Sequence, residues 1–222
     1  MLDLTLFFQP ASPVNAPEGA LYHRVHFSPE SAEEIERNSI CVFHVNEYRG
    51  RGEENQPMLD FRSTYYSLFP GQDWNMNIYD LGDMNPGATL EDTYFAIQTV
   101  VAELIKNNCI PVLVGGSMDL LHAISVGYEV TEQLINICAI DERISLGKPD
   151  EDISSEGYLS SLLLRRPCYL FNHATIGLQP NRNNPMNLDL YDKLYFDVCR
   201  LGAFNTDFKG TQATHIKIEF VV

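Results

Sequence analysis

Two strand-like runs in this 222-residue chain end on side chains that could do chemistry. IPVLVGG (110–116) is followed by Ser117, Met118 and Asp119, and LINICAID (134–141) ends on Asp141, with Arg143 and Ser145 close behind. Open α/β folds place ligands at the carboxyl ends of their strands. The candidate site residues are therefore Gly115, Gly116, Ser117, Met118, Asp119, Asp141, Arg143 and Ser145. Carboxylates at such positions can hold a divalent cation or move a proton. A thioether and a hydroxyl are poor partners for a hard cation. Arg143 carries a charge that no ordinary pH removes, so it would repel a metal and could pair with Asp141 instead.

Several common arrangements are missing. There is no GxxxxGK[ST], GxGxxG or GxSxG pattern and no His-x-x-x-His helix, so the Gly115-Gly116 pair is not a nucleotide fingerprint. Ser117 after two glycines suits the cap of the helix that follows. His23 and His26, three apart, could share a helical face, but no third ligand lies near them in sequence. Asp141 paired with His122 or His173 for metal-free acid–base work is conceivable, though no spacing favours it.

Thirty acidic residues against fifteen basic ones give a formal charge of −15, which would repel a phosphate backbone and excludes nucleic acid as a partner. Five cysteines, odd in number and set in apolar runs, read as small buried hydrophobes in a reducing compartment and offer no zinc site. No apolar run approaches the ~20 residues of a spanning helix, and the N-terminus lacks the basic start of a signal peptide. The expectation is a cytoplasmic protein with no membrane contact, formed by a single domain over 1–222 with an irregular N-terminal part, 1–38. A small-molecule ligand and a homo-oligomer are the partners left open.

Strands alternating with helices must position the candidate residues. SICVFHV (39–45), MNIYDLGDM (76–84), 110–116, 134–141, CYLFNHATIGL (168–178) and ATHIKIEFVV (213–222) read as strands. The continuously apolar 110–116 predicts a parallel strand covered on both faces. Helices are predicted over 28–38, 61–71, 89–108, 120–128, 154–167 and 188–202. Residues 89–108 carry a capping box, Thr89 with Asp92, and a buried face of Leu90, Tyr94, Ile97, Val101, Leu104 and Ile105. The loop QPNRNNPMN should precede 188–202, and Gly202 should stop that helix. This order predicts an α/β fold, three layers of α/β/α around a mainly parallel sheet.

PVLVGGSMDLLHAISVGY and LINICAIDERISLG resemble two signatures of the arginase, agmatinase and formimidoylglutamase family, the ureohydrolases. In those signatures one strand ends Gly-Gly-Asp-His-Ser and another ends Asp-Ala-His-x-Asp. YYSLFPG (65–71), YDLGDM (79–84), EDTYFA (91–96), GYLSSLLLRRP (157–167), LFNHATIGLQ (170–179) and LYFDVCRLG (194–202) extend the similarity to a divergent bacterial arginase-like subgroup over most of residues 60–202.

The resemblance implies the arginase-like fold, here C-terminally shortened, and a family chemistry in which two manganese ions hydrolyse a linear amidine or guanidine. It also implies that Met118 stands where the family has its first histidine, Arg143 where it has the second, and Ser145 where it has an aspartate. Only Asp141 is kept among these four. The family's third signature, Ser-Phe-Asp-x-Asp, is reduced to HIKIEFVV with Glu219. No cofactor is therefore expected, and the expected role is a non-catalytic binding or interaction protein. An active metal-dependent hydrolase of carbon–nitrogen bonds other than peptide bonds is the alternative.

Overall fold

The computed structural model describes residues 2–53, 60–147 and 152–205. The strand expected over 213–222, with Glu219, lies outside them. The chain divides into two compact units, Met1–Thr131 and Glu132–Val222.

The first unit holds β1 (Phe8–Gln9), β2 (Val25–Phe27), β3 (Ile40–His44), α1 (Phe61–Tyr65), β4 (Ile78–Met84), α2 (Leu90–Lys106), β5 (Ile110–Val114) and α3 (Leu120–Tyr128). Its sheet runs β1-β4-β3-β5, with β2 also on β4. Only β1 is antiparallel; β2, β3 and β5 run with their partners. Register sets His44 at the end of β3 opposite Asp83 on β4 and Val114 on β5. Three neighbouring strands thus deliver their carboxyl ends to one level, and the residues after β5 arrive there too.

β3 is buried along nearly its whole length, as its apolar run requires. Leu21, Val42 and Ile78 form one core cluster, with Val25, Phe61 and Trp74 packed against it. β5 behaves differently. Ile110 and Val112 stay 49% and 38% exposed, so the expected coverage of both faces is not seen. The physical reason is position, since β5 is the edge strand and an apolar run does not reveal which face finds a neighbour.

α2 starts where Thr89 and Asp92 exchange bonds, the Asp92 amide donating to Thr89 Oγ1 (3.1 Å) and the Thr89 amide to Asp92 Oδ2 (2.9 Å). Tyr94, Ile97, Val101 and Leu104 are buried as expected, joined by Thr93 and Val100, while Leu90 and Ile105 are only half-buried. Each buried Ile, Val or Leu side chain contributes about 1.5–3 kcal/mol. α3 comes close to α2 because Gly127 has no side chain; a Cβ there would lie 2.7 Å from Val101.

The second unit holds β6 (Ile135–Ile140), α4 (Tyr158–Leu163), β7 (Leu170–Leu178), α5 (Pro185–Lys193), β8 (Asp197–Arg200) and α6 (Leu201–Asn205). Its sheet is β6-β7-β8, parallel throughout. The Leu159 amide at the start of α4 donates to the Ser145 carbonyl (3.1 Å), which fixes the loop after β6.

Several expectations need correction. The helix predicted over 188–202 is α5, then β8, then α6, and Gly202 lies inside α6 rather than stopping a helix. α5 begins earlier, within the expected loop, because Asn184 caps it and Pro185 takes its first position. It ends at Lys193 with Leu194 as its cap, and Tyr195, at a φ of 58°, turns the chain out of the helix before β8. The helix over 28–38 is a single 3-10 turn, Ala32–Glu34. α1 and α4 are shorter than predicted. The N-terminal part contains β1 and β2, which their short, proline-flanked runs did not reveal. His23 lies in a 3-10 turn and His26 on β2, stacked on Tyr79 at 4.8 Å, so they share no helical face. Among the described residues no helix is long and apolar enough to cross a membrane.

Candidate functional site

In the first unit the candidate residues follow β5. Gly115 and Gly116 have φ of +90° and +72°, the left-handed region where glycine is at ease. Both are also crowded. A Cβ on Gly115 would lie 2.9 Å from the Val45 carbonyl oxygen and 3.0 Å from His44 Nε2, and one on Gly116 would strike Leu120.

The Ser117 amide donates to the Glu47 carbonyl (3.0 Å), tying the turn to the loop after β3. The Ser117 hydroxyl does not cap α3, as was expected of it. The cap position belongs to Asp119, whose carboxylate makes no capping bond to the helix but accepts from the Ser117 hydroxyl. Asp119 is fully buried and also accepts from Tyr94 Oη (2.7 Å). Burial, then the Asp119 carboxylate, pushes the Tyr94 phenol well above its usual range. Gly50 sits against the same carboxylate so closely that its Cβ would lie 2.2 Å from Asp119 Cγ. Met118 is 40% exposed and makes no place for a hard cation.

In the second unit the candidates follow β6. Asp141 Oδ1 accepts the backbone N–H of Arg143 (3.0 Å), a turn-forming bond. The ion pair expected between Asp141 and Arg143 does not form. The guanidinium is half-exposed and points to Glu142 (3.6 Å) and Glu156 (3.9 Å). Asp141 is already engaged by the local turn, and a long, solvated side chain finds the outer carboxylates at less cost. Ser145 contributes its carbonyl to α4.

The acid–base partners considered for Asp141 fare no better. His173 is 2% exposed on β7, with Nε2 3.2 Å from Tyr158 Oη and Nδ1 2.6 Å from Tyr191 Oη. Both ring nitrogens are occupied, and burial pulls its pKa down to about 4. His122 is buried on α3, its ring 6.3 Å from that of Tyr94.

Among the described residues, no group of three or more His, Cys, Asp or Glu side chains could hold a metal ion. Taken by itself, each strand end offers little to a hard cation: a thioether follows β5, and a guanidinium and a hydroxyl follow β6.

Two polar networks were missed by sequence reasoning. In the first, Arg62 on α1 donates Nε and Nη2 to Asp80 (2.7 and 2.9 Å) and Nη1 to Asp83 Oδ1 (2.8 Å). Tyr66 Oη adds a bond to Asp80 Oδ2 (2.6 Å), and His44 Nδ1 lies 3.1 Å from Asp83 Oδ1. Burial pulls His44 below its usual pKa, with Asp83 opposing. In the second, buried Glu47 receives Arg49 Nε (2.9 Å) and Thr93 Oγ1 (3.0 Å). Burial would raise the Glu47 carboxyl, but the bonds from Arg49 and Thr93 outweigh it and hold the pKa low. The available signal was charge inside apolar runs: His44 at the end of SICVFHV, and Asp80 and Asp83 flanking Gly82 in YDLGDM.

No protein-family model and no curated protein sequence matches the chain. Solved structures do. The Trypanosoma cruzi formiminoglutamase with manganese superposes with a TM-score of 0.68 at 15% identity, over 86% of this chain and 67% of that one. The proclavaminate amidino hydrolase of Streptomyces clavuligerus gives 0.64 at 16%, over 87% and 67%. A T. brucei arginase-like protein, as a triple variant bound with manganese, gives 0.60 at 16%, over 84% and 64%. The chain therefore has the arginase-like ureohydrolase fold, and it spans about two thirds of the length of these structures.

Proposed function

We propose that this is an arginase-fold protein whose metal positions have been replaced, and that it works by binding rather than by hydrolysis, in the reducing cytoplasm. The observation that carries the reading is the set of side chains after β5 and β6. By the sequence resemblance, Met118, Arg143 and Ser145 occupy positions where the family has metal ligands, and the Asp141 carboxylate accepts the Arg143 amide in a turn. Metal-dependent hydrolysis needs a bound water acidified towards neutrality and a positive clamp on developing charge. A guanidinium stationed at the strand end opposes the cations that would supply both. The T. brucei arginase-like protein supports the reading. Its manganese-bound form is a triple variant in which two serines became aspartate and an arginine became histidine.

Isothermal titration of the purified protein with MnCl2 tests the proposal. No stoichiometric uptake and no thermal stabilisation are expected. One or two tightly held manganese ions, or urea or formamide released from arginine, agmatine or formimidoylglutamate, would overturn it.

A further inference from the structure

We draw no further inference here: the strongest candidate, the exposed apolar stripe of Met186 and Leu190 on α5 with Leu194 at its cap, carries none because nothing in the structure shows what covers it.

Discussion

Tyr94 donates its phenolic proton to Asp119 across 2.7 Å, and both groups are buried. The bond ties the N-terminal part of α2 to the start of α3, where the chain turns after β5. Tyr94→Phe keeps the ring and removes the donor, leaving a buried carboxylate short of one partner. The expected loss is about 1–3 kcal/mol, measured as a shift of the urea unfolding midpoint. Gly50→Ala attacks the same carboxylate from the other side, since its new methyl would lie 2.2 Å from Asp119 Cγ. That variant should be destabilised too, and Tyr94→Phe should partly relieve it if the carboxylate can then move.

Among the described residues, Arg62 is the only guanidinium bonded to Asp80, which is fully buried. Burial would lower the Arg62 pKa, but the bonds to Asp80 and Asp83 outweigh it and hold the group charged. Arg62→Met leaves two carboxylates facing each other without their cation. Breaking a buried pair in this way costs about 3–5 kcal/mol. A conservative Arg62→Lys should recover only part of this, because an ammonium cannot span Asp80 and Asp83 with a fork. Thermal unfolding of the two variants beside the parent checks the order.

His173 gives the second unit an acid-sensitive core. In the unfolded chain it takes up a proton near pH 6.5, but in the fold burial defers this to about pH 4. Between those values the unfolded state binds more protons, so stability falls as pH falls, and the loss is complete below the folded value. The difference corresponds to about 3 kcal/mol. His44, also held low, adds in the same direction. His173→Gln should flatten the dependence between pH 6.5 and 4 relative to the parent. Equal slopes in urea titrations at pH 7.5, 5.5 and 4.5 would contradict the assignment.

Met118→His, Arg143→His and Ser145→Asp, made together, should give the chain measurable manganese affinity where the parent has none. Arg143→His alone should do little, because one imidazole beside Asp141 is not a coordination sphere. Calorimetric titration of the parent, the triple variant and Arg143→His orders them.

The fold was legible where the sequence speaks in long periods. α2 announced itself through Thr89, Asp92 and a buried stripe, and β3, β4, β6 and β7 through apolar β-branched runs. It was illegible where geometry is set by a single residue. The left-handed Tyr195 turns one apparent helix into α5 and β8, and nothing in LYFDVCRLG distinguishes a helical face from a strand. The candidate site divides in the same way. Gly115, Gly116 and Asp141 were recognisable from local pattern. The His44–Asp83–Arg62 network joins three elements far apart in sequence, and only the parallel register of β3 and β4 brings it together. Arg143 was identified but given the wrong partner, because the competition between a backbone turn and an ion pair for Asp141 is settled by local distances.

The capping box on α2 and the fully buried side chains of Ile97, Val100 and Val101 have a consequence for the time scale of hydrogen exchange. With its first turn held by Thr89 and Asp92, the helix has no frayed N-terminal start from which to open. The amides of residues 97–104 can then reach solvent only when the first unit opens as a whole. They should be the last to acquire deuterium, and their rate should report the unfolding free energy of that unit directly.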